Sequence, residues 1–333
     1  MIKSGRGQNG FVLAVTLWIL AIIMIGASYF ADRVAKSIET ASKSQDITQA
    51  LIDMSSTRAE VLFRFCTTPL SIYGIGVTKE SAIALDNRPY SGSATDVLFL
   101  QDSRGLINVT NIRPEMLQRL LGQMGVAADK RDALLDTLND YTDTDDNRRL
   151  NGAEAAEYRA RGLPLPPNDW LLTPWQLQNI IGWGEQTVLW QNQRLPEIVT
   201  AAHAIGFNPN TAPREALAAM PGSSPEIADR IIQRRAIRPF VDLRELIGVV
   251  GPVGLDQDSM LFFPADNIRL TQTSDKIPWS LRFQISLTPQ AENAPWRIDY
   301  YIKTGPTSSA QNANKPVPLP AYVALPTSPD PTF

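Results

Sequence analysis

Along the chain the pattern of apolar and polar positions changes four times. The 21 residues 11–31 carry no charge, enough for an α-helix to cross about 30 Å of hydrocarbon. In lipid only a helix satisfies its own backbone groups within one segment, so this stretch predicts a transmembrane helix. Beyond Asp32 apolar residues recur at helical spacing. Val34, Ile38 and Ala41 form one stripe; Ile47, Leu51, Met54, Leu62 and Phe65 form another, with Arg58 interrupting it. Residues 11–68 contain no proline and one glycine, Gly26, so one helix is expected to run on to Pro69. At about 1.5 Å per residue it would be on the order of 85 Å long.

After this rod the period shifts. Residues 96–102 read as a strand, followed by a turn at residues 103–105. From 105 to about 254 short helical patterns are punctuated by proline and glycine. Asn108, Glu115 and Leu117 are echoed one hundred positions later by Asn208, Glu215 and Leu217, each set being an asparagine-bearing turn that opens a helix. Duplication and coincidence both accommodate three identities. The second copy leads into a helix-hairpin-helix pattern. Its first helix spans about 213–220, its turn is 221–224, and its second helix opens at Ser224-Pro225 with Ile227, Ile231 and Ile232 on one side. A further helix opens at Asp242, with Glu245 three residues on. Between the copies, Trp170, Trp175, Trp183 and Trp190 crowd one segment, as core or as a partner-facing patch. Past residue 260 the period becomes two: residues 279–287 and 296–303 alternate and read as an antiparallel hairpin. The proline-, serine- and alanine-rich residues 305–333 read as a disordered tail.

Composition narrows the class. With 333 residues the chain has room for two domains after the anchor. A net charge of −3 makes nucleic acid an unfavoured partner. Cys66 stands alone, so no intramolecular disulfide forms. His203 is the sole histidine, and neither a glycine-rich phosphate loop nor a zinc-spaced cluster occurs, so the chain does not read as an enzyme.

The chemistry-bearing stretch is residues 140–154. Counting from Asp143, oxygen donors fall at positions one, three and five (Asp143, Asp145, Asn147), and Glu154 stands at twelve. That is EF-hand spacing, apart from Arg148 where a glycine is expected at position six. Asp140 adds a carboxylate, and Arg149 offers a carbonyl. The competing reading is a solvated acidic loop.

The first residues resemble the N-terminus of type IV pilins and pseudopilins. Lys3 and Arg6 lie in a leader that ends at Gly10, and Phe11 opens the apolar run into a long helix. A secretory signal would have a shorter apolar core and a small-residue cleavage site before Asp32. The resemblance implies cleavage by prepilin peptidase between Gly10 and Phe11, and N-methylation of Phe11. Most of that family has a glutamate at the fifth mature position, where this chain has Val15. Together with Gly152-Ala153-Glu154, Tyr158 and the segment Asn208, Asn210, Thr211, Ala212, this resembles the K-type minor pseudopilins of type II secretion. The implied fold is α+β: a pilin-like long N-terminal helix and antiparallel sheet, with a large α-helical insertion.

The resemblance implies the following organisation: leader 1–10, transmembrane part 11–31, amphipathic part 32–68, β domain 69–104 with 260–304, helical insertion 105–259, and tail 305–333. It implies the cell inner membrane, crossed once, with a cytoplasmic N-terminus and a periplasmic head. It implies a place at the pseudopilus tip, beginning assembly with I- and J-type minor pseudopilins on an inner-membrane assembly platform, within reach of secreted cargo. It also favours calcium at Asp140, Asp143, Asp145, Asn147 and Glu154. The alternative is a membrane-anchored helix-hairpin-helix protein that binds DNA through Arg230, Arg234, Arg235 and Arg238; against it, Ser224 stands where such hairpins usually carry a second glycine.

Overall fold

The computed structural model describes residues 9–93, 95–110, 114–251, 259–305 and 315–322. The leader residues 1–8 and the tail stretches 306–314 and 323–333 lie outside the described residues. The chain forms two compact units, residues 1–52 and 53–333.

Helix α1 (Asn9–Thr67) is continuous for 59 residues. Over residues 11–31 it is apolar on every side: Phe11, Trp18, Ile22, Ile25 and Phe30 are all exposed. Its apolar window has a mean hydropathy of 2.5, with none of it buried in protein. A helix that is hydrophobic all round and lacks a protein cover is suited to lipid, and it forms a single membrane anchor.

In the second unit the last turns of α1 lie on a sheet. After β1 (Leu70–Ser71) and β2 (Gly74–Ile75), a small hairpin, come β3 (Asp86–Ser91) and β4 (Asp96–Asp102). Residues 103–266 then intervene before β7 (Asn267–Ser274), β8 (Ser280–Leu287), β9 (Trp296–Thr304) and β10 (Val317–Pro318). The main sheet has six strands in the order β10-β3-β4-β7-β8-β9. All its neighbours are antiparallel except β10 with β3. The insertion therefore leaves and re-enters between adjacent strands.

Strand alternation gives the sheet two unlike faces. Leu98, Leu100, Ile268, Leu270, Leu281, Phe283 and Ile285 share one face by register and are all buried. α1 covers this face: Gln272 Nε2 donates to Met54 O at 2.7 Å, and Arg58 Nη1 donates to Gln272 Oε1 at 3.1 Å. The Arg58 guanidinium lies 4.5 Å above the Phe283 ring, which explains a charge within an apolar stripe. The other face carries Gln101, Arg269, Thr271, Arg282 and Gln284, also buried, and the insertion covers it.

The insertion holds α2 (Pro114–Gln123), α3 (Ala128–Thr142), α4 (Ala155–Ala160), α5 (Thr187–Trp190), α6 (Arg194–Ile198), α7 (Arg214–Ala219), α8 (Pro225–Ile237) and α9 (Leu243–Val250). The short parallel pair β5 (Ile107–Asn108) and β6 (Val199–Thr200) joins its halves. Leu117, Leu138, Tyr158, Trp183, Leu217, Ile231 and Phe240 belong to one buried core.

The two echoed asparagines do the same local work. Asn108 Oδ1 accepts the Thr110 N–H at 2.8 Å, and Asn208 Oδ1 accepts the Asn210 N–H at 3.0 Å. Leu117 and Leu217 are both fully buried. The asparagine-rich segment fastens the insertion to the sheet. Asp102, fully buried at the end of β4, accepts from Asn208 Nδ2 (2.9 Å), Thr211 Oγ1 (2.7 Å) and the N–H groups of Arg104 (3.0 Å) and Ala265 (2.9 Å). Four donors on one carboxylate satisfy it without a counter-ion.

Three differences from the sequence reading have physical causes. Strand β3 contains Pro89 and a register shift at Asn87 (φ 64°), features that hide a strand and suit a sheet margin. Strand β7 turns Arg269 and Thr271 into the protein, so its polarity imitates exposure. Part of the expected disordered tail is ordered: β10 pairs with β3, Arg64 Nη1 donates to Pro320 O at 2.5 Å, and the Tyr322 ring packs tilted against Phe63 with centroids 5.5 Å apart.

Candidate functional site: the acidic loop and the anchoring helix

The Gly10–Phe11 bond lies in the first turn of α1, and the side chains of Phe11 and Val15 are exposed. The helix continues uninterrupted to Thr67, with Gly26 its one glycine after Phe11.

The acidic stretch forms a helix–loop–helix. Helix α3 ends at Thr142, α4 begins at Ala155, and the loop is residues 143–154. Asp140 sits fully buried in the last turn of α3, at the end of a helix where a negative charge is disfavoured. It accepts from Arg149 Nη1 at 2.8 Å and from the Arg149 N–H at 3.1 Å. The same guanidinium reaches Asp143 Oδ2 at 2.5 Å. These two hydrogen bonds, to Asp143 first and then Asp140, raise the pKa of Arg149. Gly152 approaches so closely that a Cβ there would lie 1.8 Å from Asp140 Oδ2, which accounts for glycine in Gly152-Ala153-Glu154.

Glu154 is 5% exposed, and neither of its carboxylate oxygens has a hydrogen-bond partner; Asp143 Oδ1 is also buried and unpartnered. Burial, and then the charges of Asp140, Asp143, Asp146 and Asp145, push the Glu154 pKa up to about 7. The loop thus contains buried negative charge that its own residues neutralise only through Arg149. Asp145 and Asn147 are exposed, with Asp145 Oδ1 accepting the Asn147 N–H at 2.7 Å. Among the described residues no three Asp, Glu, His or Cys side chains already converge on one metal position. The structure brings together Asp140, Asp143, Arg149 and Glu154, and leaves Asp145 and Asn147 outside. The donor set fits a hard cation in charge and in its unsatisfied oxygens. Arg149 occupies the cationic role between Asp140 and Asp143. A bound cation would require that side chain to withdraw.

A second ionic cluster, not named from the sequence, joins α6 to the sheet. Glu197 of α6, 6% exposed, binds Arg282 Nη2 through Oε1, and Arg269 Nη2 lies 3.9 Å from its Oε2. Arg269 also donates to Pro196 O (2.8 Å) and Glu197 O (2.9 Å), and Arg282 Nε to Thr271 Oγ1 (3.1 Å). Burial, with Arg282 nearby, lowers the Arg269 pKa to about 10. The detectable signal was Arg282 and Gln284 alternating with Phe283 and Ile285, a pattern that equally describes a solvated face.

The remaining candidates have structural roles. Trp183 is fully buried with Nε1 donating to Leu134 O at 2.8 Å, and Trp190 Nε1 donates to Trp183 O at 2.9 Å. Trp170 is the exposed member, and its ring lies tilted against His203 with centroids 3.9 Å apart. Tyr158 is buried and its hydroxyl accepts the Ile181 N–H at 3.2 Å. Burial raises the Cys66 pKa, the opposite of an activated thiolate. Of the four arginines in the DNA alternative, Arg235 donates twice to carbonyls of Pro209 and Ala212 at 2.7 Å. Arg234 and Arg238 face Glu245. Glu226 and Asp229 on the same helix leave α8 with a net charge of only +1.

Residues 97–203 match a family model described as Type II secretion system (T2SS), protein K, first part, and residues 207–261 match a second model of Type II secretion system protein K. Among curated proteins no sequence matches. A chain in the crystal structure of the GspK–GspI–GspJ complex from the enterotoxigenic Escherichia coli type 2 secretion system superposes with a TM-score of 0.55 at 17% identity, covering 78% of this chain and 97% of that one. That likeness is one of fold. The two family matches meet at the asparagine-rich segment and run from β4 through the insertion, and the chain belongs to the type II secretion system protein K family.

Proposed function

We propose that this minor pseudopilin caps the tip of the type II secretion pseudopilus and starts its assembly with I- and J-type minor pseudopilins, for protein export across the outer membrane. The observation that carries the reading is the insertion: residues 103–266 emerge between two neighbouring strands of a pilin-like sheet. A stacked subunit must keep its flanks clear for the next one, and so large an insertion suits the one position with no successor. Val15 agrees. A carboxylate in a membrane needs a partner, and a subunit with nobody ahead of it needs none. The I and J partners follow from the assembly named for the solved structural relative. Prepilin peptidase acts at Gly10–Phe11 and Phe11 is methylated. The N-terminus is cytoplasmic, and the anchor holds the periplasmic head to the inner membrane until extrusion.

The same reading places calcium in the acidic loop, held by Asp140, Asp143 and Glu154, with Asp145 and Asn147 turning inward. Calcium would supply the positive charge that the buried carboxylates lack.

Co-purification of the full chain with its I and J partners, and gold labelling of the head on assembled fibres, test the assembly role. A complex and terminal labels are expected; label along the shaft, or an uncut Gly10–Phe11 bond in cells with active peptidase, overturns it. Calcium titration calorimetry tests the loop, and absence of both heat and a melting shift removes the metal.

A further inference from the structure

A cleft of about 390 Å³ opens where the margin of the sheet meets α8. Its walls include Ile72, Ile232 and Pro239, and its charged lining consists of Lys79, Asp86, Arg88 and Arg235. The register shift at Asn87 puts Asp86 and Arg88 side by side on β3. Such bulges re-aim side chains beside binding sites. Arg88 holds Asp86 through bonds of 2.8 and 2.6 Å, so these two charges cancel. Lys79 Nζ donates to Ile237 O at 3.1 Å, and Arg235 donates to Pro209 O and Ala212 O. Carbonyls satisfy the hydrogens of these two cations but bring no counter-charge. Three cations against the one carboxylate of Asp86, which acts on Arg88 and on Arg235, leave the lining with a net charge of +2 in a chain whose net charge is −3. Desolvation lowers the Arg235 pKa; the nearby Asp86 carboxylate only partly opposes this, and Arg88 adds repulsion.

We propose that this cleft is a docking site for a carboxylate side chain carried on an otherwise apolar segment of a partner protein. Charge complementarity selects the anion, and the apolar walls select its carrier, because an inorganic anion has no hydrocarbon to bury there. The volume is at the small end for ligand pockets and accommodates one acidic side chain with its flanks. The proposal is independent of where the chain sits in a fibre. Asp86 is the built-in competitor: while it holds Arg88, a ligand meets only Lys79 and Arg235.

The test uses the full chain in detergent micelles, titrated calorimetrically with the capped peptide Ala-Leu-Glu-Leu-Ala, its glutamine twin, acetate and inorganic phosphate. The glutamate peptide is expected to bind at one site at least about tenfold tighter than its twin. Lys79 is exposed and bonds only to the last carbonyls of α8, so Lys79→Glu should lower the melting temperature only slightly and weaken the peptide at least about tenfold. Asp86→Asn should tighten it, a gain that a merely structural pair would not produce. Equal binding of the twin, no binding, or indifference to Lys79→Glu overturns the proposal. Acetate or phosphate binding as tightly as the peptide overturns it in favour of a small anion.

Discussion

Two glutamates, Glu154 and Glu197, are buried to nearly the same degree within the insertion and live in opposite surroundings. Glu197 stands between Arg269 and Arg282, and its charge fastens α6 to the polar face of the sheet. Glu154 stands among Asp140, Asp143, Asp145 and Asp146 with both oxygens unpartnered. Burial alone therefore says little about what a carboxylate does. The sign and number of neighbouring charges separate a completed joint from a site short of positive charge.

This contrast can be broken by experiment. The largest effect is expected at the joint. Glu197→Ala leaves two buried guanidinium groups without their anion and should cost about 3–5 kcal/mol, read from the urea midpoint. Replacing Glu197, Arg269 and Arg282 together by apolar residues of similar volume should recover most of that loss. At the loop the sign reverses. In chelator-treated protein Glu154→Gln should be stabilising by up to about 3 kcal/mol, the equivalent of moving its pKa from 4.5 to about 7. It should also abolish calcium-induced stabilisation. Destabilisation at either site of the opposite sign would erase the distinction.

The pH dependence follows from the same shift. Folded Glu154 keeps its proton to about pH 7, whereas in the unfolded chain it loses it near 4.5, so the folded state binds more protons in between. Metal-free protein should therefore lose stability as pH rises from about 4.5 to about 7 through this group, and calcium should flatten that slope. Melting scans at matched ionic strength check it. Gly152→Ala, which drives a Cβ into Asp140, should cost about 1–3 kcal/mol and weaken calcium binding. Arg149→Met, which leaves buried Asp140 without its cation, should lower metal-free stability by about 1–3 kcal/mol while tightening calcium, because it removes the resident cation.

Much of the fold was legible because local rules suffice for it. An uncharged 21-residue run, strand residues 96–102, the Ser224-Pro225 helix start and the final hairpin each carry their signal within a few residues. The capping predictions match: Ser224 Oγ accepts the Ile227 N–H, and Asp242 accepts the Glu245 N–H. β3, β7 and β10 were not legible, since proline at a margin, arginine turned inward and a proline-rich tail all imitate exposed chain. The acidic loop was half legible. Spacing put Asp143, Asp145 and Glu154 ahead of Asn147, whereas the fold buries Glu154, half-buries Asp143 and leaves Asp145 and Asn147 in solvent.

The sequence by itself determined the anchor, the helical insertion and the stock of oxygen and cationic groups, because hydrophobic period, caps and breakers act over one or two turns of chain. Only the tertiary structure decided which charges meet. Glu197 finds Arg282 from 85 positions away, while Arg149 reaches back only as far as Asp140 and Asp143. Coulombic fate depends on distance and burial in space, and neither is written in the local order of residues.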